Sequence, residues 1–238
     1  MTTRLVVTLA ATLFVTQAPS FEGRVRLRTI HLQVEENGTQ ETLLDAALGV
    51  LAAREDAKVE SATVMIKGNI IRTGGGADAG GVYALWDLNR NTMVLVQPKE
   101  RAYMEVPLDE QPTRDPRARP AGPQPKSLGT RTINGMKATG YEIRGDDLIV
   151  RAWMTQDHPG LTWAFRQAIS QKDYEGEEDP EDAATAQLAR YGFPVVLYTL
   201  NRGSLEIEET VGIERAALGP ETFKVPAGFT KKSLGENP

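Results

Sequence analysis

Side chains that commonly carry catalysis or bind metals are scarce in this sequence. The chain has 238 residues, no cysteine and only two histidines, His31 and His158. Neither histidine lies in a G-x-S-x-G nucleophile elbow or an H-E-x-x-H zinc helix, and a histidine relay needs a positioned partner that no motif supplies. We therefore expect a structural role for His31, no catalytic residue, no bound metal, no cofactor and no enzymatic activity.

Two further stretches have compositions that resemble functional loops. The segment at 72–81, RTGGGADAGG, is rich in glycine, but it lacks the G-K-[ST] ending of a P-loop and the G-x-G-x-x-G spacing. The acidic segment at 173–182 holds seven carboxylates without the spacing of an EF-hand. A hairpin loop explains the first. Acidic residues at a helix start explain the second, with calcium as the less favoured alternative.

Arg24, Arg26 and Arg28 repeat at every second residue, which places three cations on one face of the first predicted strand. These side chains are candidates for contacts with phosphate or carboxylate head groups. The competing interpretation is a solvated strand face whose arginines pair with Glu206 and Glu208, which repeat at the same period in a late strand.

The first eighteen residues have the composition of a secretory signal. Arg4 is followed by an apolar run from Leu5 to Val15, and Thr16-Gln17-Ala18 resembles a cleavage site. The run is shorter than the ~20 residues that a spanning helix needs. Cleavage would change 27 basic against 32 acidic residues to 26 against 32, so nothing favours nucleic acid. We expect export to the periplasm or the medium, and no integral membrane protein.

Period-2 alternation dominates the region from 82 to 106. It predicts a three-strand meander with two-residue loops at 89–90 and 99–100. Residues paired across such loops share a face of the sheet. One face then collects apolar side chains only, which we treat as candidate ligand-binding residues: Val82, Ala84, Trp86, Met93, Leu95, Met104 and Val106.

A second hairpin is predicted in TGYEIRGDDLIVRAWM, residues 139–154, with a loop at 145–146. This register places Tyr141, Val150 and Met154 on an apolar face, and we add them to the candidate ligand-binding residues. On the other face, Gly140 and Ala138 are expected opposite Arg151 and Trp153.

Helical periods interrupt the strands twice. A helix is predicted at 41–54, and a helical insertion at 159–191, whose second helix starts at Pro180 and stops at Gly192. A proline-rich basic loop at 107–127 is expected to be extended and solvated, with partner docking as the alternative. We expect one β-rich domain at 19–238, an α+β fold in which an antiparallel sheet carries helices on one face.

Ordered motifs along the chain resemble those of a bacterial exported family of unknown function, which is similar to the outer-membrane lipoprotein-sorting (LolA-like) proteins. They are FEGRV, MIKGNIIRTGG, LWDLNRNTMVLVQPKERAYMEV, INGMKATGYEI, VRAWMTQD, GFPVVLYTL and FKVPAGF. The resemblance implies an unclosed half-barrel, a curved antiparallel sheet whose apolar concave face is covered by helices and shelters acyl chains.

Two functions follow as expectations. The first is a periplasmic binding or carrier module for a hydrophobic ligand such as a lipid or a lipoprotein acyl chain. The alternative is a non-catalytic structural or interaction domain of the cell envelope with a filled core and an envelope protein as partner. An open apolar cavity of ~300 Å³ or more favours the first.

Overall fold

The computed structural model describes residues 20–34, 40–74, 81–107, 123–170, 180–201 and 203–233. The signal sequence predicted at 1–18, most of the proline-rich loop and the acidic residues 173–179 lie outside the described residues.

Strands make up most of the described chain, as its alternating apolar and polar residues predict. The strands are β1 (Glu22–Gln33), β2 (Lys58–Lys67), β3 (Ile70–Gly74), β4 (Tyr83–Asp87), β5 (Thr92–Gln97), β6 (Ala102–Pro107), β7 (Lys126–Ile133), β8 (Met136–Arg144), β9 (Leu148–Thr155), β10 (Phe193–Asn201), β11 (Ser204–Arg215) and β12 (Thr230–Lys232). The helices are α1 (Gln40–Leu43), α2 (Leu48–Ala52), α3 (Pro159–Ser170) and α4 (Pro180–Leu188).

All twelve strands belong to one unclosed sheet. Their order is β12-β6-β5-β4-β3-β2-β1-β11-β10-β9-β8-β7. Neighbours run antiparallel except β12, which lies parallel to β6. Strand β1 joins the two halves of the sheet because it pairs with β2 on one side and with β11 on the other. The predicted antiparallel architecture is confirmed, and a half-barrel fits this sheet.

Contacts across the sheet show which way its β7–β11 half curves. Asn134, in the turn between β7 and β8, donates hydrogen bonds to Glu209 (2.9 Å) and to the carbonyl of Thr210 (3.0 Å) on β11. Strands three apart in a flat sheet are separated by ~14 Å. The β7–β8 hairpin therefore folds over the face that carries Glu209. We call this face A; it also carries Arg28, Ile30 and Leu32 of β1.

Helices pack on both faces of the sheet. On face A, Leu44 and Leu51 from the α1–α2 segment join a cluster of buried residues that includes Ile30 and Tyr198. On the opposite side, face B, α3 packs against Val25, and α4 packs against Val150. The expectation of helices on one concave face is wrong in this respect. Because the central strands are apolar on both faces, each face needs a cover.

Two elements differ from those that the sequence predicts. The helix expected at 41–54 is broken between α1 and α2, where Ala47 has an extended backbone (φ −65°, ψ 134°). At this break, Arg151 donates hydrogen bonds to the Leu44 carbonyl and to Asp45. Strand β7 was not predicted, since it is an edge strand with mostly exposed, polar residues and therefore lacks an alternating apolar pattern.

Candidate functional site

The apolar meander predicted at 82–106 forms with the expected register. Trp86 pairs with Met93, and Ala84 pairs with Leu95, across β4 and β5. Leu95 in turn pairs with Met104 on β6. We name this set the β4–β6 stripe; all of its members lie on face B: Ala84, Trp86, Met93, Leu95, Met104 and Val106. Val82 lies just before β4, is 50% exposed and is not part of the stripe.

Most of the β4–β6 stripe is only half-buried. Ala84 is buried and Trp86 packs at the edge of the cluster under α3. Met93, Leu95, Met104 and Val106 keep intermediate exposure and belong to none of the apolar clusters found in the described part of the chain. The opposite face of the same strands is covered differently, because Val225 and Phe229 near the C-terminus pack on Tyr83, Leu85 and Val96.

The remaining candidate ligand-binding residues lie in a different part of face B. Val150 and Met154 are 0% and 3% exposed and pack in the cluster under α4. Tyr141 stacks on Tyr191 with ring centroids 4.0 Å apart. Five strands, from β3 to β10 in sheet order, separate Val150 and Met154 on β9 from β4, and six strands separate Tyr141 on β8 from β4. The structure therefore does not bring them together with the β4–β6 stripe.

The three arginines of β1 lie on face A, but they do not pair with Glu206 and Glu208. Arg28 donates hydrogen bonds to Glu209, with a distance of 2.8 Å from its Nε. Arg24 lies 3.6 Å from Glu214. A β-bulge at Arg26/Leu27 shifts the register with β11, so that Glu206 and Glu208 point to face B. The predicted pairing is therefore wrong.

Of these arginines, Arg26 is the most exposed. Its guanidinium lies over Gly212, where an added Cβ would come within 2.7 Å of it. Arg28 and Arg24 have carboxylate partners on β11, so the three arginines are not equivalent.

The sequence did not predict a buried ion pair on face A. Glu142 and Arg151 pair across β8 and β9, and the Arg151 Nη2 lies 2.7 Å from the Glu142 carboxylate. Burial alone would raise the pKa of Glu142, but hydrogen bonds from Arg144 and Arg151 hold that pKa below its ordinary value. Arg151 also contacts Asp45 at 2.6 Å, so the pair fixes the α1–α2 segment on the sheet.

A register error explains why this pair was missed. A two-residue loop at 145–146 would pair Gly140 with Arg151. In the structure, the Gly145 amide donates a hydrogen bond to the Leu148 carbonyl and Arg144 pairs with Ile149, so that Arg151 lies opposite Glu142. The shift of two residues leaves every side chain on its predicted face. Gly140 lies opposite Trp153 instead, and the Trp153 ring fills the space that a Cβ would occupy.

A second buried carboxylate, Glu209, lies further along face A. It is 3% exposed and accepts hydrogen bonds from Arg28 and Asn134. Burial raises the pKa of the neighbouring Tyr198 phenol, which also interacts with Arg131. Arg131 in turn lies 3.6 Å above the Trp153 ring. Hydrogen bonds and a cation–ring contact thus join these side chains across several strands, and this network stabilises the curved sheet.

The histidines occupy ordinary positions. His31 lies 3.1 Å from Glu206 on face B. His158 precedes α3, and its carbonyl accepts from the Thr162 amide. Within the described ranges, no group of three or more histidine, cysteine, aspartate or glutamate side chains is arranged to hold a metal ion.

None of the helices in the described ranges is both long enough and apolar enough to span a bilayer.

Comparisons with known proteins place the chain in a family without a defined activity. A search of curated proteins found no match to the chain. A family model described as a domain of unknown function, DUF4412, matches residues 21–229, which include all of the strands except β12. The chain therefore belongs to the DUF4412 family of domains of unknown function.

Proposed function

We propose that this protein is an exported binding or carrier module for a hydrophobic ligand, with the β4–β6 stripe as its contact surface. The supporting observation is the half-buried state of Met93, Leu95, Met104 and Val106 on one face of three paired strands. Contiguous exposed apolar patches on a protein surface commonly mark contact sites for ligands, membranes or proteins.

The chemistry of the stripe suits an acyl chain. Three neighbouring strands span ~10 Å in the direction of their hydrogen bonds, and this width accommodates an extended hydrocarbon chain on a pleated surface. Methionine side chains are flexible and polarisable, so Met93 and Met104 can adapt to an irregular apolar ligand. In the paired register of β4, β5 and β6, none of the side chains that point to face B is ionisable.

Displacement of a fluorescent fatty acid tests this proposal. Val106→Asn places an amide in the stripe, and Val59→Asn makes the same change at a side chain that is 43% exposed on β2. We expect Val106→Asn to weaken binding about tenfold, a loss of ~1.4 kcal/mol, because a polar group replaces apolar contact. Val59→Asn should bind as the unchanged protein does. Equal affinity in both variants would contradict the proposed site.

A structural or interaction domain is the second candidate, and the packing of the central sheet favours it. Ile30, Leu205 and Ile207 on face A and Val150 and Ala152 on face B are all 0% exposed. The interior of this part of the sheet is filled by its own side chains. Purification of the protein with a stoichiometric envelope protein and without lipid would support this function over the first.

A further inference from the structure

Sulfur chemistry in this chain is confined to methionine. The sequence holds six methionines and no cysteine. Two of the six, Met93 and Met104, lie on the β4–β6 stripe. Methionine is the apolar side chain that mild oxidants attack most readily, because its thioether sulfur takes up an oxygen atom and becomes a sulfoxide. The position of each methionine therefore determines whether oxidation changes the stripe.

Met93 and Met104 are neighbours on face B. Met93 pairs with Val106 on β6, and Met104 pairs with Leu95 on β5. The two methionines are thus diagonal neighbours across one strand pair, roughly 7–8 Å apart, which is within reach of long side chains. Both are half-buried, and neither belongs to an apolar cluster in the part of the chain that the structure describes. A small oxidant in the solvent therefore has access to both.

The other methionines of the described ranges lie in different environments. Met154 is 3% exposed and packs in the cluster under α4. Met136 packs against the main cluster of face A. Met65 is half-buried like the stripe methionines, but it lies on face A, where it pairs with Arg24 and Arg72. Oxidation of Met65 leaves the β4–β6 stripe unchanged, so this residue is an internal control.

Oxidation changes the stripe from apolar to polar at two adjacent strands. With hydrogen peroxide, the thioether sulfur attacks one peroxide oxygen, the O–O bond breaks, and a sulfoxide and water form. The sulfur is oxidised by two electrons and the peroxide is reduced by two. A sulfoxide oxygen accepts hydrogen bonds from water, so burying it under a hydrocarbon chain without a donor is costly. Methionine sulfoxide reductases reverse the change.

We propose that Met93 and Met104 form a reversible oxidation site, at which peroxide or another two-electron oxidant releases the hydrophobic ligand. This inference rests on the proposed function, because it requires the β4–β6 stripe to be the contact surface. In the reduced protein, no side chain of these strands that points to face B is ionisable. In the oxidised protein, an apolar ligand has to desolvate two sulfoxides and loses the adaptable thioether contacts.

Peptide mapping by mass spectrometry tests the oxidation site without any ligand. The full chain is treated with hydrogen peroxide for increasing times, and the sulfoxide is measured at each methionine. We expect Met93 and Met104 to oxidise at least ~5-fold faster than Met154, because a buried side chain reacts only when the fold opens locally. Equal rates at the three positions would overturn the proposal, whether or not the protein binds a lipid.

Displacement of a fluorescent fatty acid measures the consequence for binding. After peroxide treatment, the unchanged protein should bind the probe at least ~10-fold more weakly, and methionine sulfoxide reductases should restore its affinity. Met93→Leu/Met104→Leu lacks both sulfur atoms, so its affinity should be the same before and after peroxide. Met65→Leu keeps both and should lose affinity on treatment as the unchanged protein does. Circular dichroism verifies that each oxidised sample is folded.

The outcomes separate this inference from the proposed function. Full affinity in the oxidised protein, or a loss on treatment in Met93→Leu/Met104→Leu, would overturn the oxidation switch and leave the contact surface standing. Loss of the peroxide response in Met65→Leu would assign the sensitive residue to face A and overturn the switch as well. If the untreated protein does not bind the probe, the proposed function is refuted, and the ligand release fails with it.

Discussion

At the scale of single residues, the least expected feature is the pair Glu142 and Arg151. The two side chains are 2% and 10% exposed, and they are bonded to each other, to Arg144 and to Asp45. Breaking a buried pair leaves an uncompensated charge, which costs far more than the intact pair contributes. This pair therefore constrains the sheet and the α1–α2 segment together.

Replacement of Arg151 should destabilise the protein strongly. We expect Arg151→Met to lower the free energy of unfolding by roughly 3 kcal/mol, near the lower limit for buried pairs, because Arg144 still bonds Glu142. Urea denaturation measures this loss. Arg54→Met, which breaks an exposed pair with Asp56, is the matched control and should change little. The double variant Glu142→Leu/Arg151→Met should recover much of the loss; failure to recover any would contradict the assignment.

Acid should weaken this pair in a defined direction. The pKa of Glu142 is held below its ordinary value of 4.5, so the unfolded chain takes up the proton at higher pH than the folded chain. The resulting stabilisation is complete above about pH 4.5 and is lost as the pH falls through the lower folded pKa. The stability difference between the unchanged protein and Glu142→Gln should therefore shrink on acidification. A difference independent of pH would show that Glu142 is not the titrating group.

At the scale of elements, the β8–β9 pair depends on a glycine. A Cβ at Gly140 would lie 2.9 Å from the Trp153 ring and 3.0 Å from the Leu128 Cβ. Trp153 is 8% exposed and packs in the main cluster of face A. The close approach of the ring to the β8 backbone therefore requires a residue without a side chain.

Gly140→Ala should force the Trp153 ring to move. We expect a loss of roughly 1 to 3 kcal/mol in the free energy of unfolding, as for overpacked cores. Gly145→Ala is the control, since its nearest neighbour would lie at an ordinary 3.8 Å. Thermal unfolding with tryptophan fluorescence measures both the stability and the displaced ring. Equal stability of the two variants would mean that the ring adapts without cost.

The elements also show how far the sequence can predict this fold. The turns between β4 and β5 and between β5 and β6 are centred where the alternation predicts, so the register of these strands is confirmed, although each turn leaves four residues unpaired instead of two. The β8–β9 loop also has four residues, but it is centred one residue later than predicted. The register therefore shifts by two residues, which leaves the face pattern unchanged, so the pattern alone cannot detect the shift. The break between α1 and α2 depends on Arg151, about 100 residues away, which local periodicity does not encode.

The candidate site was predictable only in part. Register placed the β4–β6 stripe on one face, but Val150 and Met154 satisfy the same pattern inside the core. Alternation reports which face a residue occupies and not what covers that face. The coverage depends on where α3, α4 and the C-terminal segment pack, and those positions follow from long-range contacts.

At the scale of the whole molecule, the unclosed sheet has two unlike halves. In one half, β1 and β8–β11 are covered on both faces, by the α1–α2 segment and the hairpin turn on face A and by α3 and α4 on face B. In the other, β4–β6 is covered on face A by the C-terminal segment while its face B stays half-buried. This asymmetry is the basis of the proposed function.

Export is a separate prediction about the whole chain. If residues 1–18 are a signal sequence, the protein expressed in its native host should be recovered from outside the cytoplasm with Pro19 as its first residue. Intact-mass measurement of the fractionated protein determines this N-terminus. Recovery of the full-length chain from the cytoplasm alone would contradict export.

The proposed binding of a hydrophobic ligand is tested most directly by native mass spectrometry of the protein purified from its own cell envelope. We predict one lipid or acyl-chain molecule per chain, lost in the Val106→Asn variant and retained in Val59→Asn. A chain that carries no lipid, or that retains the same lipid after Val106→Asn, would contradict a hydrophobic ligand on the β4–β6 stripe.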